Sequence, residues 1–293
     1  MIDPRIRTFL TVCETMNYTA AARKLNITQP AVSQHMRILE HYYKVKLFTY
    51  KGKKVYITPK GELLRKAATA MLNDDAELRR QMQEYPGKVR IEFGVTKTIG
   101  EYVIASPLAR FIRNHPDASI KMHVANSEEL AQEIKGGKIQ FALAEGYFDP
   151  TEYDSMMYRT VPFIPVCSVN HQFQKGKGPR LMADLFGERL LVREPGSGMR
   201  RFLENHLALM GCKISDFHSV VEVSGMHTIL RLLEEDAGIS FLFEAAADDL
   251  ISNGKLQRIR LSDFSVVHDF RFIWEKGSKY GDQYRALCTE LAG

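Results

Sequence analysis

Cysteine is scarce in this sequence, and the few cysteines are dispersed. They are Cys13, Cys167, Cys212 and Cys288, and no Cys-x-x-Cys pair occurs. The nine histidines are scattered as well. This pattern argues against a zinc site and against a disulfide framework. We therefore expect neither a metal nor a cofactor.

Long apolar runs are absent too. Residues 1–9 include Asp3, Arg5 and Arg7 and show no apolar stretch like that of a signal peptide. Elsewhere the apolar runs are short, and residues 238–243, for example, are followed at once by Glu244. None approaches the roughly 20 residues that a membrane-spanning helix requires. We expect a cytoplasmic protein.

Familiar catalytic motifs are also missing. The sequence has no Gly-x-Ser-x-Gly elbow, Walker A loop, zinc motif or dinucleotide fingerprint. Gly176-Lys177-Gly178 is followed by Pro179, and we interpret it as a turn rather than as a phosphate loop. We expect no catalytic residues and no enzyme activity.

Charge is distributed unevenly along the chain. Residues 1–88 hold 16 lysines and arginines against 8 acidic residues, whereas residues 89–293 hold 24 against 27. A basic N-terminal third on a near-neutral body predicts a module that binds a polyanion, attached to a second part. The alternative is a basic surface that merely aids solubility.

The periodicity of the basic third predicts three short helices. The apolar positions of the first follow an i, i+3, i+4, i+7 spacing: Ile6, Phe9, Leu10 and Cys13. Thr19 is placed to cap the second helix, and Thr28 is placed to cap the third. Pro30 lies in the first turn of the third helix, where a missing N–H costs nothing. Two short helices joined by a tight turn form a helix-turn-helix unit.

The third helix has two chemically different faces. Val32, Met36 and Leu39 are spaced to pack on the first two helices. The opposite face carries amides, hydroxyls and an arginine, which can pair with base edges in the major groove of double-stranded DNA. The predicted DNA-binding residues of this segment are Thr28, Gln29, Pro30, Ser33, Gln34 and Arg37.

A basic turn precedes the β-leaning residues 55–57, which predicts a small hairpin. Lys51, Lys53 and Lys54 at its tip are suited to contact DNA phosphates. The alternative is that these lysines belong to a solvated loop. Their position next to the helix-turn-helix favours DNA contact.

Residues 59–61 open a long helix that we predict to run to about Tyr85. Its heptad seam consists of Leu64, Ala68, Met71, Asp75, Leu78, Met82 and Tyr85. The seam can pack on its own domain, but the surrounding face is highly charged, which favours a partner helix. A dimer would present two recognition helices to a two-fold operator.

Beyond Pro86-Gly87 the pattern alternates strands and helices, which predicts an α/β domain with a mostly parallel sheet. Predicted strands are 89–95, 119–124, 140–145, 164–169, 189–192, 219–223 and 239–241. Predicted helices in the first block are 99–114 and 128–135. The last strand and helix, about 270–291, are expected to return to the first block.

The N-terminal residues resemble the LysR-type transcriptional regulators. The segments that carry this resemblance are 9–10, 19–25, 28–33, 39–40, 47–48 and 57–61. In the C-terminal part, the segments 98–102 and 193–198 are similar to segments common in effector domains of the family. The resemblance covers the whole chain. Two departures stand out: Lys44 replaces a glycine helix end and would need a left-handed backbone, and Tyr50 replaces a wing arginine whose contact Lys51 would take over.

The resemblance implies a winged helix-turn-helix (1–58), a linker helix (59–87) and a two-lobed α/β effector domain (88–293) like a periplasmic binding protein. Lobe I would comprise about 88–162 and 269–293, and lobe II about 163–268. A homodimer or homotetramer would form through the linker helix, and a small effector would bind in the cleft. RNA polymerase is a further candidate partner of such a regulator.

Ligands of open α/β sheets bind at the carboxyl ends of strands, near helix N-termini. Three segments fit, and their predicted effector-binding residues are Thr96, Lys97, Thr98, Asn126, Ser127, Gly196 and Ser197. Hydroxyls, backbone N–H groups and Lys97 favour an anion, either a carboxylate or an inorganic oxyanion. The alternative is that Thr98, Ser127 and Ser197 are plain helix N-caps and that Lys97 is solvated. The use of matching positions in the family favours the ligand.

Two alternative functions rest on other features of the sequence. One is a redox switch built on Cys167 and Cys212, although each is better interpreted as a buried apolar residue. The other is an architectural DNA-binding protein without an effector, in which the large α/β body would have no task.

Overall fold

A computed structural model describes residues 2–52, 54–83, 89–145, 148–174 and 178–293. Four sequence predictions fall outside these ranges: the contact of Lys53, the helix end at Tyr85, the boundary at 86–87 and the turn at 176–177. Within the described ranges, no helix is both long and apolar enough to cross a membrane.

The N-terminal unit contains three helices and a hairpin. Its elements are α1 (Pro4–Thr15), α2 (Tyr18–Leu25), α3 (Gln29–Tyr43), β1 (Phe48–Lys51) and β2 (Lys54–Ile57). Val32, Met36 and Leu39 of α3 are buried in the core of this unit, which confirms the predicted inner face. The hairpin is confirmed too, with β1 and β2 paired antiparallel.

The caps of α2 and α3 show one correction. Thr28 caps α3 as predicted, its hydroxyl accepting from the N–H of Ala31 at 3.3 Å. The prediction that Thr19 caps α2 is wrong: Asn17 Oδ1 accepts from the N–H groups of Thr19 and Ala20, at 2.9 and 3.0 Å. Asparagine is among the best capping residues, and from position 17 its side chain reaches two unpaired donors of the first turn.

Lys44 ends α3 in the left-handed conformation, as the sequence predicts. Its φ is 54° and its ψ is 34°. A residue with a Cβ pays roughly 1–2 kcal/mol for this conformation, which glycine adopts without that penalty.

We expect Lys44→Gly to stabilise the N-terminal unit by up to about 1 kcal/mol. The relieved backbone strain exceeds the entropy that glycine adds to the unfolded chain. Thermal unfolding followed by circular dichroism checks this expectation. Lys44→Ala is the matched control, because it removes the same side chain and leaves the strain. An equal gain in both variants would show that the lysine side chain, not the backbone, is responsible.

The linker helix, α4 (Pro59–Met82), starts in tight contact with the hairpin. Thr58 caps it by accepting from the N–H of Gly61 at 2.9 Å. A Cβ on Gly61 would lie 2.3 Å from the carbonyl oxygen of Leu47, so only glycine fits this approach. The contact holds the start of α4 against the end of the N-terminal unit.

The predicted heptad seam of α4 is split between two environments. Leu64 and Ala68 are buried in the core of the N-terminal unit, whereas Met71, Leu78 and Met82 are 52%, 50% and 79% exposed. The first part of the seam therefore packs on its own domain, one of the two alternatives, because α1 of the same chain contacts α4. The exposed second half leaves an apolar stripe on this helix.

The charged face of α4 contacts the α/β domain of the same chain. Glu77 is buried, where it accepts from Gln140 Nε2 at 3.0 Å and pairs with Arg80 at 2.9 Å. Arg65 forms an ion pair with Glu152. The sequence analysis took the charge of this face only as a reason to expect a partner helix, and in the structure the face docks the linker helix on the larger domain.

The larger domain alternates strands and helices along most of its length. Its strands are β3 (Arg90–Thr96), β4 (Ser119–Ala125), β5 (Phe141–Ala144), β6 (Tyr153–Ser168), β7 (Arg189–Arg193), β8 (Ser219–Val223), β9 (Ile239–Phe243), β10 (Leu256–Arg258) and β11 (Val266–Glu275). Its α-helices are α5 (Lys97–Tyr102), α6 (Ala105–Asn114), α7 (Ser127–Lys135), α8 (Gly198–Leu209), α9 (Met226–Glu234), α10 (Glu244–Ser252) and α11 (Gly281–Ala292). Short 3₁₀ turns span Met182–Gly187 and Ile214–Asp216.

The nine strands form one sheet with two parallel halves. Its order is β4-β3-β5-β11-β6-β9-β7-β8, and β10 pairs with β6. Strands β3, β4 and β5 are parallel and define lobe I, and β7, β8 and β9 are parallel and define lobe II. Between them β6 and β11 form a long antiparallel pair that runs through both lobes.

The sequence predicted only the second half of β6, from residue 164, and located the last strand from about residue 270. Pro162 and the charged residues before it interrupted the apolar pattern by which strands are recognised. In the structure Pro162 faces Val267 across the ladder, so a long-range partner determines this strand.

The single predicted helix 99–114 is also wrong, since α5 and α6 are separate. Pro107 lacks the N–H that would bond to the carbonyl of Val103, and its ring would clash with that carbonyl in a continuous helix. The chain therefore breaks after Tyr102, and Pro107 falls in the first turn of α6, where it is tolerated.

Candidate functional sites

The outer face of α3 carries the predicted base-reading residues. Gln29, Gln34 and Arg37 are exposed, and Ser33 is partly buried. Gln29 Nε2 donates to Ser33 Oγ at 2.9 Å, which joins two of these side chains on one turn of the helix. Thr28 and Pro30, also exposed, lie at the start of the same helix.

The hairpin adds two lysines to this surface. Lys51 and Lys54 are exposed and face each other across the turn, where Gly52 has a φ of +63°. Lys53 lies outside the described residues. Tyr50, which stands where the family has an arginine, is turned toward Tyr18, with 6.3 Å between the ring centres.

The predicted ligand residues come together between the two lobes. Lys97 Nζ, just after β3 in lobe I, donates to Glu194 Oε1, just after β7 in lobe II, at 3.1 Å. Arg201 of α8 forms an ion pair with Glu128 of α7, so the second and third predicted segments also meet. We call this region the interlobe cleft, and ion pairs of the chain itself bridge it.

Two hydroxyl groups of the cleft are buried without hydrogen-bond partners in the described part of the chain. They belong to Thr98, which is fully buried, and to Ser127, which is 6% exposed. The interpretation of these two residues as plain helix caps is wrong, because Thr96 and Asn126 occupy the cap positions. Unsatisfied buried hydroxyls are costly, and they point to an absent partner.

Two other predicted side chains are already engaged within the protein. The Asn126 side chain accepts from the N–H of Glu129 at 2.9 Å in a capping box, so it is used within its own helix. The Thr96 hydroxyl donates to Glu145. In the third segment, Gly196 adopts a φ of +88°, and Ser197 is buried at the start of α8 without a side-chain cap bond.

Sequence reasoning missed two buried charged residues of the cleft, Glu145 and Arg193. Arg193 is 2% exposed and donates from Nε to Glu194 Oε2 at 2.8 Å. Glu145 directly follows β5, and its backbone carbonyl oxygen lies 2.6 Å from His268 Nε2. The rule that located Thr96 and Asn126, a polar residue at the carboxyl end of a buried strand, also fits Glu145.

Glu145 and Glu194 of the cleft have opposite pKa shifts. Burial raises the pKa of Glu145 to about 7, and the charge of Arg193 offsets only part of this effect. Burial also acts to raise the pKa of Glu194, but hydrogen bonds from Arg193 and Lys97 outweigh it and hold that pKa below its usual value. Glu194 is therefore the partner of both cations, and Glu145 is not.

Cys167, one of the two cysteines of the alternative redox switch, lies in an environment that disfavours a thiolate. All four cysteines are free thiols, and burial raises the pKa of the Cys167 thiol to about 12. Reactive cysteines need a readily formed thiolate, which this environment disfavours. The Sγ of Cys212 donates to the carbonyl oxygen of Met210 at 3.5 Å.

Comparisons with known proteins match both parts of the chain. The sequence model described as "LysR substrate binding domain" matches residues 86–293, and the one described as "Bacterial regulatory helix-turn-helix protein, lysR family" matches residues 4–62. The HTH-type transcriptional regulator CysL of Bacillus subtilis is 25% identical over 274 residues, covering 92% of this chain and 89% of CysL.

Solved structures share the fold. The full-length regulator LysG from Corynebacterium glutamicum, with bound effector Arg, has a TM-score of 0.62 at 14% identity and covers 100% of this chain and 98% of its own. The regulatory domain of CcmR from Synechocystis, in complex with 2-PG, has a TM-score of 0.60 at 17% identity and covers 70% of this chain and 95% of its own.

Proposed function

This chain belongs to the LysR family of bacterial transcriptional regulators, and we propose that a small anionic effector controls it by binding in the interlobe cleft. The observation that carries this proposal is a pair of buried hydroxyls that have no partner among the described residues, with Lys97 of lobe I next to one and the Glu128–Arg201 pair, whose cation belongs to lobe II, next to the other. Hydroxyls and cations are the groups that bind carboxylates and oxyanions. LysG binds Arg and the CcmR regulatory domain binds 2-PG, and these two small molecules support a small effector.

The same fold connects the effector cleft to the DNA-binding unit. Strand β5 has Glu145 of the cleft at one end and Gln140 at the other. Gln140 hydrogen-bonds to Glu77 of the linker helix, which continues from the hairpin of the DNA-binding unit. An effector that closes or opens the cleft would shift this contact, provided that it binds the two arrangements with different affinities.

The remaining partners follow from the exposed surfaces. We propose that α3 reads base edges of double-stranded DNA while Lys51 and Lys54 contact phosphates. The exposed apolar stripe on α4 would bind the same helix of a second copy, giving a homodimer or, by a further contact, a homotetramer. A contact with RNA polymerase stays a prediction.

The proposal is tested by thermal unfolding of the full chain in the presence of a panel of carboxylates and inorganic oxyanions. A ligand that binds only the folded state, at about 100 times its dissociation constant, stabilises it by roughly 2.7 kcal/mol. We expect at least one anion to raise the unfolding temperature. If none does across a broad panel, the anionic effector is wrong, and the DNA-binding proposal stands.

We further expect Thr98→Val to weaken binding of the anion found in this way by roughly 3- to 10-fold. Valine keeps the shape of threonine and removes a hydroxyl whose bond to an anion contributes on the order of 1 kcal/mol. Isothermal titration of both proteins measures the ratio. Thr289→Val, which changes an exposed threonine of α11, is the control and should bind as the unchanged protein does. Equal losses in both variants would contradict the role of Thr98.

A further inference from the structure

We infer that the ligand of the interlobe cleft carries a hydrogen-bond donor beside its negative charge, and that Glu145 recognises this donor. The inference rests on the proposed function, because it defines the ligand of the same cleft more narrowly. It concerns specificity, and it separates anions that have a hydroxyl, an amino group or an acidic proton from anions that have none.

Glu145 is buried directly after β5, and among the described residues its carboxylate has no counterion. The residue is 4% exposed, and among the described residues no lysine or arginine lies within ion-pair distance of its carboxylate. The Thr96 hydroxyl donates to Oε2 of this carboxylate. Arg193 is near enough to lower the pKa of Glu145, but it pairs with Glu194.

One of the two unsatisfied hydroxyls of the cleft, that of Thr98, lies beside this carboxylate. The Thr98 hydroxyl lies close enough to Glu145 to lower its pKa, and yet no acceptor completes a hydrogen bond of normal geometry with it. Lys97, next in the chain, reaches across to Glu194. A ligand that satisfies Thr98 therefore contacts cationic and hydroxyl groups on one side and the Glu145 carboxylate on the other.

The chemistry of a carboxylate decides which ligands can bind beside it. An ionised carboxylate only accepts hydrogen bonds, so a fully deprotonated oxyanion facing it brings two like charges together without a proton between them. A ligand with a donor turns the same contact into a charge-assisted hydrogen bond. A site that hydrogen-bonds a donor of its ligand discriminates strongly against analogues without that donor. An apolar pocket discriminates much less against a ligand that lacks one methylene group.

The test uses pairs of anions that differ mainly in one donor, at pH 8, where Glu145 is largely ionised. The probes are phosphate against sulfate and glycolate against acetate, titrated into the full chain by calorimetry. We expect the donor-bearing member of a pair to bind at least tenfold more tightly. Equal binding of both members, or tighter binding of the donor-free member, would overturn the inference and leave the anion site intact.

A substitution then assigns the discrimination to Glu145. Glu145→Gln keeps the shape, removes the charge and offers an amide donor, so the affinity ratio within each pair should fall toward one, chiefly through tighter binding of sulfate and acetate. Glu101→Gln removes the charge of an exposed carboxylate on α5 and should leave the ratio unchanged. An unchanged ratio in Glu145→Gln would show that another residue recognises the donor.

The outcomes separate this inference from the proposed function. Failure of all four probes to bind the unchanged protein contradicts the anion site, and with it both proposals. Binding without donor discrimination contradicts only the inference. Because the ratio is first measured in the unchanged protein, it tests the inference even if Glu145→Gln fails to fold.

Discussion

Replacing Phe163 with alanine is expected to cost the effector domain about 3–5 kcal/mol of its free energy of unfolding. Phe163 lies on β6 where this strand passes from one lobe to the other, and it is 1% exposed. Its ring lies 4.9 Å from that of Phe202 and 5.0 Å from that of Phe243, measured between centres. Removing it leaves a cavity among rigid aromatic neighbours, and such surroundings relax poorly.

The single tryptophan makes this loss measurable. Trp274 lies in β11 and is buried, so its fluorescence reports unfolding of the effector domain. Urea titrations of the two proteins give the difference in the free energy of unfolding. Leu209→Ala, at a residue that is 84% exposed, is the control and should change it by less than about 0.5 kcal/mol. A loss below about 1 kcal/mol for Phe163→Ala would mean that the neighbours collapse into the space.

Replacing Arg37 with alanine is expected to weaken binding to the cognate operator by about 1–3 kcal/mol, which corresponds to roughly 5- to 150-fold. Arg37 is exposed on the outer face of α3, away from the core formed by Val32, Met36 and Leu39. A guanidinium presented in this way can bond guanine in two places, and few other side chains replace it. We therefore expect a loss of base preference at one operator position as well as a loss of affinity.

The operator is first selected from random DNA with the full chain, and affinities are then measured on the selected and on random sequences. Lys51→Ala is the matched comparison. Loss of a phosphate contact should weaken binding to both classes of DNA about equally, and it should lower the slope of log affinity against log salt concentration by about one. If Arg37→Ala also weakens both classes equally, Arg37 contacts phosphate and does not read bases.

Much of the N-terminal unit could be predicted from the sequence because its signals are local. Helix periodicity located α1, α2 and α3, and the left-handed end at Lys44 was expected because the family has a glycine helix end at this position. Capping involves residues only two or three positions apart, so Thr28 was found from the sequence. The error at Thr19 arose because Asn17 and Thr19 can both cap a helix and lie close together in the chain. It therefore moved the predicted start of α2 by only a short distance.

The candidate ligand site was predictable only in part. Polar residues at strand ends led to Lys97, Thr98 and Ser127, which the fold brings to one cleft. Which side chains remain available was decided by tertiary contacts, as with Asn126, whose oxygen is used within its own helix. The absence of a counterion for Glu145 depends on where Arg193 and Glu194 lie in the other lobe.

The sequence by itself determined the class of DNA-binding unit, the alternation of strands and helices, and the strand ends at which a ligand can bind. Only the tertiary structure decided that β6 and β11 join the lobes in one sheet and that α4 divides its apolar seam. It also decided that Glu145 is buried with no cation of the described residues paired to it. Caps and periodicity act between residues a few positions apart, so the sequence displays them directly. Strand pairing, helix docking and the pairing of buried charges join residues far apart in the chain, and only folding brings these partners together.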